Sequence, residues 1–385
     1  MQNFSDTVPA KRKKKLFTVG LNLHDWNSQF AGKTFDERAQ SIELFSRHLA
    51  PRGSISLNGT PKEKKEARNF LLSRIDEDMA LYHLQPEVSC SASSPVHFLA
   101  AFSRLQTLPP SIIFQKLIDE IELKMSGLDA NSLSGIPGYF SGLGVCPSDD
   151  FINTWWDHAK YLAKDWNLKD SYRIIYQLAI LDCIAVQDGR EPTPCADIIR
   201  PVMRIFSNGA DDLFPQEVDS QIYYAAKWFG YDFIEGRIIQ STTERISEAE
   251  KFVGKGLADK GFTIYDDHVL QGTQHRFDLV IAFNRNSVGL EIDGPFHFVF
   301  DAENQLMRYN GSTRLHTVLM EKMMGDHFRI LRIPYPQLER RSAIDNIEQT
   351  LRHLNGHPKG AAYIMRGAKS VMPTNQGECW SLPSP

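Results

Sequence analysis

The chain has 385 residues, of which 42% are hydrophobic and 23% are charged, and its formal net charge at pH 7 is −4. These values are ordinary for a globular protein of two or more domains, and they exclude a wholly basic nucleic-acid coat but not a local basic face. No apolar run approaches the length of a membrane span, so we expect no membrane partner. Five scattered cysteines without paired spacing argue against a zinc site and favour a reducing compartment.

Residues 1–33 are predicted to form a flexible basic leader, because they are polar and poorly periodic. The run from Lys11 to Lys15 is consistent with nuclear import, organelle targeting, an arm that touches RNA, or a solvated tail. A polar leader would also suit a secreted bacterial effector. The compartment therefore stays open between a reducing intracellular space, an organelle and the host cell of an effector.

Residues 34–235 are predicted to be all-helical. The pattern Thr34-Phe35-Asp36-Glu37 is a capping box, and Pro61 suits the first position of a second helix. About eight helix signals follow one another in pairs, which is typical of a helical repeat array but also allows a plain bundle. The glycine- and serine-rich stretch 127–144 is predicted to be a long loop.

Residues 245–340 are predicted to run α-β-β-β-α-β and to form a small mixed α/β domain. The helix that begins at Ser247 is followed by a strand, a hairpin, a helix from Ser312 and a strand near 328–335. Residues 341–385 are predicted to be an amphipathic helix and then a loose tail, because the tail is polar and contains glycine and proline. The predicted fold class is thus α+β, in several domains.

The hairpin carries an acidic cluster. If its turn is two or three residues long, Asp278 falls opposite Glu291 or one place away, and Asp293 shares the strand face of Glu291. Carboxylates about 5 Å apart repel each other unless one is protonated or a cation lies between them. The pattern predicts a site for a metal or a basic ligand, or else acids neutralised by nearby arginine and lysine.

These residues also resemble a known family. Three segments carry the resemblance: Arg276-Phe277-Asp278-Leu279, then Gly289-Leu290-Glu291-Ile292-Asp293-Gly294-Pro295-Phe296-His297-Phe298, and later Phe328–Tyr335 with its Ile-Pro-Tyr end. They resemble the RAP domain, a small RNA-binding domain first noted in apicomplexans. The resemblance implies a fold like that of restriction-endonuclease-type nucleases, RNA as the partner, and a position behind a helical repeat array.

The resemblance also implies candidate catalytic residues. A metal-dependent nuclease of this type would hold Mg²⁺ between Asp278 and Glu291, with Glu250 as a helix member of the set. Asp293 stands where such enzymes usually have lysine. His297 is a candidate general base or ligand. Mg²⁺ is the expected cofactor if the protein is a nuclease, and none is expected otherwise.

The RNA-binding interpretation uses other residues. The candidates for phosphate contact and base stacking are Arg308, Arg314, Arg329, Arg332 and Phe296. Single-stranded RNA is the expected partner. Three functions stay open: an RNA-binding protein of RNA processing or regulation, a Mg²⁺-dependent endonuclease, and an effector whose helices bind a protein partner.

Overall fold

The fold is α+β, with helices in the first part of the chain and mixed sheet in the last. The computed structural model describes residues 30–49, 61–84, 90–162, 168–200, 216–231, 247–266, 276–283, 286–301, 306–324, 328–374 and 381–383. Most of the predicted leader and the expected domain boundary between residues 235 and 245 lie outside these residues. The chain divides into two compact units, Met1–Ser89 and Cys90–Pro385, so the predicted helical stretch 34–235 contributes to both.

The first unit contains a pair of helices, α1 (Phe35–Leu49) and α2 (Pro61–Leu84). The predicted capping box forms at α1, because the Glu37 N–H donates to Thr34 Oγ1 over 3.3 Å and the Thr34 N–H donates to Glu37 Oε2 over 2.8 Å. Across the helices, Arg38 Nε lies 2.7 Å from Asp78 Oδ1. Both predicted helix starts are confirmed.

The second unit begins with a series of helices that lie before its main sheet. Among them are α3 (Ser93–Arg104), α4 (Ser111–Leu123), α5 (Ala130–Leu143), α6 (Asp149–Leu162), α7 (Leu168–Gln187) and α8 (Gln216–Trp228). The loop predicted over 127–144 was wrong, because α5 occupies most of it. Asp129 caps α5 by accepting from the Ser132 N–H over 2.7 Å.

A six-stranded sheet forms the centre of this unit. In spatial order its strands are β2 (Thr263–Asp266), β3 (Leu279–Phe283), β4 (Asn286–Asp293), β7 (Arg329–Pro334), β8 (Ala361–Gly367) and β9 (Ser370–Pro373). Strand β3 is antiparallel to both neighbours, whereas β4, β7 and β8 run parallel.

Helices cover both faces of this sheet. One face packs on α9 (Glu248–Asp259) and α11 (Ala343–Leu354), with a core that includes Leu257, Ile281 and Leu351. On the other face, α10 (Gly311–Met324) contributes Met320 to a cluster with Val280 and Ile330. The acids of the hairpin belong to the face that α10 covers, because side chains alternate along a strand.

A smaller sheet joins the helical part to the α/β part. Its strands, in spatial order, are β1 (Thr107–Leu108), β5 (Phe298–Asp301), β6 (Leu306–Tyr309) and β10 (Ser381–Pro383). Strand β1 follows α3 and pairs in parallel with β5, with Thr107 opposite Phe300. The Phe300 N–H donates to the carbonyl of Gln106 over 2.8 Å.

The tail predicted over 341–385 begins with a helix, as expected, but it is not loose over 361–374. Strand β8 continues the central sheet beside β7, with Leu331 opposite Tyr363, and β9 turns back along it. The run Ala362–Met365 is buried. The tail is polar on average, but it contains a short apolar run, which is the pattern of a buried strand.

Helix α10 lies close against the helical part. A Cβ added at Gly311 would lie 2.7 Å from the carbonyl oxygen of Ser141 and 2.9 Å from Ile184 Cδ1. Arg314, one turn later, donates from Nε to Gln187 Oε1 over 2.9 Å and from Nη2 to Asp188 Oδ1 over 2.5 Å. The α/β part is therefore fixed against α5 and α7.

We expect Gly311→Ala to lower the free energy of unfolding by about 1–3 kcal/mol, because backbone on α5 leaves no room for the methyl group. The measurement is urea unfolding followed by circular dichroism. Gly254→Ala in α9 is the matched control, since its Cβ would make an ordinary contact, 3.6 Å from Leu279 Cδ2. Equal stability of the two variants would contradict the close contact.

Candidate functional site

The hairpin of β3 and β4 brings two carboxylates together. Phe283 pairs with Asn286, and Leu279 pairs with Leu290. Continuing this register places Asp278 directly opposite Glu291, as predicted. Asp278 Oδ2 also accepts the backbone N–H of Ile292 over 2.6 Å, which fixes the Asp278 side chain at the end of the hairpin.

Both carboxyl groups are strongly perturbed. Burial and the charge of Glu291 raise the pKa of Asp278 to about 8. Burial raises the pKa of Glu291 to about 8 as well, opposed by the charge of Arg332 and reinforced by those of Asp293 and Glu250. Two acids in such a place hold protons near neutral pH, and a cation that binds between them would displace those protons.

Glu250 lies at the N-terminus of α9, where it has a structural role. Its Oε1 accepts the Ser247 N–H over 3.0 Å, and its own N–H donates to Ser247 Oγ over 3.1 Å. The charge of Glu250 also raises the pKa of Asp278 and of Glu291. Glu250 therefore caps α9, and its charge acts on the acid pair without joining it as a third ligand among the described residues.

Two carboxylates are the protein ligands that this site offers to a cation. Within the part of the chain that the structure describes, no group of three His, Cys, Asp or Glu side chains is placed to hold a metal ion. Mg²⁺ is commonly bound through one or two carboxylates, with water and substrate phosphate completing its coordination. The donor set of Asp278 and Glu291 fits Mg²⁺ on that basis.

Asp293 belongs to a buried ion pair rather than to an open site. It is 1% exposed; its Oδ2 accepts from Arg332 Nε over 2.9 Å and from the Tyr309 hydroxyl over 2.9 Å, and its Oδ1 pairs with Arg332 Nη2. A carboxylate bound on both oxygens is unsuited to bind substrate or water. The predicted catalytic role of Asp293 is therefore corrected to a structural one.

His297 lies beside this ion pair. Its Nδ1 is 3.0 Å from Thr313 Oγ1 and 3.6 Å from Asp293 Oδ1, and 34% of its side chain is exposed. These contacts orient the imidazole shortly after the end of β4, the strand that carries Glu291 and Asp293. His297 thus stays a candidate for the site.

Three of the arginines predicted to contact phosphate are interior residues. Arg314, Arg329 and Arg332 are 3%, 5% and 2% exposed. Arg314 holds α10 to α7, Arg332 pairs with Asp293, and Arg329 donates from Nε to the His357 carbonyl, after α11, over 2.9 Å. Their guanidinium groups bind partners inside the fold. We therefore correct their predicted role: they stabilise the structure and do not contact RNA.

The remaining two candidates reach the surface. Phe296 is 41% exposed, and its carbonyl accepts from Gln106 Nε2 over 3.1 Å and from Asn310 Nδ2 over 2.8 Å. Arg308 on β6 is half-buried. The contacts of the Phe296 carbonyl hold this residue in place without covering its ring.

Three further residues form a group that the sequence did not indicate. Tyr176 on α7, Tyr224 on α8 and His316 on α10 form one group, in which His316 contacts both tyrosines. Burial raises the pKa of Tyr224, and so do the charges of Tyr176, Tyr223 and Glu291. Helical aromatic residues are usually core residues, and only the folded chain shows that these ones meet at His316.

We expect the acid pair to make the protein less stable as the pH rises. The folded chain keeps the protons of Asp278 and Glu291 until about pH 8, whereas the unfolded chain releases them near pH 4. Between these limits the folded state binds more protons, so the free energy of unfolding falls with increasing pH, by up to about 1.4 kcal/mol per unit for each group.

The measurement is urea unfolding at pH 6 and pH 8.5. The matched control is the double variant Asp278→Asn/Glu291→Gln, which should lose this part of the pH dependence. Mg²⁺ should raise the stability of the wild type at pH 8.5 by mass action and leave the double variant unchanged. The same pH slope in both proteins would contradict the assignment.

Two comparisons with known proteins found no match. No protein-family model matches the chain, and no curated protein matches it. Among the helices that the structure describes, none is long and apolar enough to cross a membrane.

Proposed function

We propose that this protein binds single-stranded RNA and cleaves it in a Mg²⁺-dependent reaction at the acid pair Asp278–Glu291. The single observation that carries the proposal is the pair itself. Two carboxylates face each other across β3 and β4, and the pKa of each is raised to about 8. Perturbed acids on a rigid hairpin are typical of sites that bind a cation or act in catalysis.

The order of elements around the pair supports the same proposal. The chain runs α9, β2, β3, β4, then β5 and β6 of the smaller sheet, then α10 and β7, with Asp278 just before β3 and Glu291 on β4. This is the arrangement expected of a RAP domain with a restriction-endonuclease-like fold. We assign residues 245–340 to such a domain, with β8 and β9 as an extension of its sheet.

The residues of the pair would hold Mg²⁺, which supplies Lewis-acid stabilisation of the charge that builds up on the phosphoryl group. Asp278 is fixed for this by its bond from the Ile292 N–H, and Glu291 by its place on a central strand. The negative charge of Glu250 also raises the pKa of both acids, and the same charge would attract a divalent cation to the pair. Hydrolysis then adds water to phosphorus and breaks one P–O bond.

RNA contacts in this proposal come from the surface and not from the three buried arginines. Phe296 offers an exposed ring for base stacking. Arg340 and Arg341 are exposed after β7, and Arg308 is half-buried. Phosphate contacts of this kind predict an affinity that falls as salt rises.

The test is incubation of the purified full chain with end-labelled single-stranded RNA and with DNA, in Mg²⁺ and in EDTA. The proposal expects Mg²⁺-dependent cutting of RNA by the wild type, and its loss in Asp278→Asn and Glu291→Gln. Cutting of DNA in preference to RNA would correct the substrate class. The absence of cutting, or cutting that survives in both variants, would overturn the proposed site.

A further inference from the structure

A single helical turn, Pro295–His297, joins β4 to β5 and carries Phe296 at the surface. The His297 N–H closes this turn by donating to the Gly294 carbonyl over 3.1 Å. Pro295 has a fixed φ, which further limits how the turn can move. Phe296, in the middle of the turn, is 41% exposed. A large aromatic ring is therefore presented at the surface by a short, closed turn.

Two side-chain amides hold the carbonyl of Phe296. Asn310 Nδ2 donates to it over 2.8 Å, and Gln106 Nε2 donates to it over 3.1 Å. A carbonyl oxygen has two lone pairs, so it can accept from both amides at once. Gln106 and Phe296 are 190 residues apart in sequence, and their contact connects the helical part directly to the turn.

Asn310 fixes the turn to the start of α10. Its N–H donates to the His297 carbonyl over 2.9 Å, and its Oδ1 accepts the Thr313 N–H over 3.0 Å. Thr313 Oγ1 also lies 3.0 Å from His297 Nδ1. Asn310 thus caps α10 and holds the turn at the same time. Its removal would damage the helix as well, which makes Gln106 the better residue to vary.

Gln106 has a backbone conformation that is uncommon for a residue with a side chain. Its φ is +51°, in the left-handed region. Its N–H donates to the Ser103 carbonyl over 3.2 Å, and its carbonyl accepts the Phe300 N–H over 2.8 Å. These bonds hold Gln106 between the end of α3 and the strand pair β1–β5. Strained residues persist where their surroundings determine them, and they are concentrated at functional sites.

An aromatic ring binds a base more tightly when the ring is already immobilised. Stacking accepts any base, since every base has a π face, but the base must be unpaired. A loop that becomes ordered on binding loses part of the affinity to that ordering, whereas a ring on a fixed turn avoids the loss. The two amides on the Phe296 carbonyl provide this immobilisation.

We propose that Phe296 stacks on an unpaired base of single-stranded RNA, and that Gln106 of the helical part positions it. Gln106 does not contact the RNA in this arrangement, because it acts through the Phe296 carbonyl. The helical part thereby contributes to RNA affinity through one side chain. This inference rests on the proposed function, and it adds the base contact and the residue that holds it.

The first test measures binding without cleavage. Fluorescein-labelled single-stranded RNA is titrated with the full chain in EDTA, and fluorescence anisotropy gives Kd. Phe296→Leu should raise Kd about tenfold, because leucine is apolar but has no face for stacking. Phe296→Tyr keeps the ring and should stay within about twofold of the wild type. A labelled RNA duplex should bind the wild type and both variants equally, because its bases are already paired.

A double-mutant cycle tests Gln106. Gln106→Met keeps the length of the side chain and removes the donor, so it should raise Kd about threefold. In the Phe296→Leu background the same change should alter Kd by less than about 1.5-fold, because the ring that Gln106 positions is gone. The matched control is Gln115→Met, which should leave Kd unchanged. Gln115 is an exposed glutamine of α4 whose Nε2 donates to Asp119 Oδ1 over 2.8 Å.

A second variant of Gln106 guards against a loss of structure. Asparagine adopts positive φ more readily than most residues, but its amide is one methylene group too short to reach the Phe296 carbonyl. Gln106→Asn should therefore weaken RNA binding as Gln106→Met does, and thermal unfolding should show that it keeps the wild-type fold. Damage to the fold would weaken binding in both backgrounds of the cycle, so the cycle separates positioning from stability.

The outcomes separate this inference from the proposed cleavage. An effect of Gln106→Met that needs the Phe296 ring would support the inference, even in a protein that cuts no RNA, which would overturn the nuclease alone. Equal effects in both backgrounds would overturn the role of Gln106. An unchanged Kd for Phe296→Leu would overturn the base contact, and cleavage that needs the acid pair would still leave the nuclease standing. A wild type that binds no RNA would overturn the inference.

Discussion

Glu291→Gln and Asp278→Asn should each lower kcat for Mg²⁺-dependent RNA cleavage at least about 100-fold, because each removes one of the two protein ligands available to the cation. The amide side chain in Asp278→Asn keeps an oxygen that can accept the Ile292 N–H, so the hairpin should retain its geometry. Single-turnover cleavage of labelled RNA, at saturating protein, measures the loss.

The same variants should gain stability as they lose activity. An amide needs no proton and carries no charge, so the repulsion between the two acids disappears, and at pH 8 the variants should unfold at higher urea than the wild type. Glu248→Gln is the matched control, since Glu248 is an exposed glutamate of α9 that pairs with Lys251. It should change neither property. An acid variant that keeps more than a tenth of wild-type kcat would contradict the assignment.

The sequence predicted the elements that local patterns determine. The capping boxes at Thr34 and Ser247 start helices, and the polar turn after Phe283 makes a hairpin whose register places Asp278 opposite Glu291. Such features depend on residues close in sequence, so spacing alone indicates them. The α+β class follows from the same reasoning.

Long-range packing explains what the sequence did not predict. Glycines in 127–144 indicated a loop, but in α5 they permit close contact: a Cβ at Gly142 would lie 2.5 Å from Ser103 Oγ. The cost of glycine in a helix is small and close packing offsets it. Likewise, β8 forms because it pairs with β7, and residues 361–367 by themselves do not indicate which strand they pair with.

The candidate site also divides into residues that the local sequence predicts and residues that only long-range packing brings together. The acid pair lies on one hairpin and could be predicted. The contacts of His316 with Tyr176 and Tyr224 join residues far apart in sequence, and they form only because α10 lies against α7 and α8. The predicted RNA-contact role of the buried arginines was wrong for a related reason. A charged residue on a strand is usually on the surface, but Arg332 lies opposite Glu291 in the register and has a buried partner, Asp293, on that same adjacent strand.

Arg332→Met should have the largest effect on stability, a loss of about 3–5 kcal/mol in the free energy of unfolding, because it leaves Asp293 as a buried charge without its cation. Both side chains are almost fully buried, with 2% and 1% of their surfaces exposed. Urea unfolding at pH 7 measures the loss. Replacing both partners, as Asp293→Leu/Arg332→Met, should recover much of it, since the unpaired charge is then gone.

Arg314→Met is the matched control, because Arg314 is equally buried but its partner Asp188 is 46% exposed. Water can solvate Asp188 when the guanidinium is removed, so the loss should be about 1–3 kcal/mol, mainly from carbonyls that lose a donor. Equal losses for the two variants would show that the Asp293 charge is not the cause. If the expected order holds, weak RNA binding by an Arg332 variant reports a damaged fold and not a lost phosphate contact.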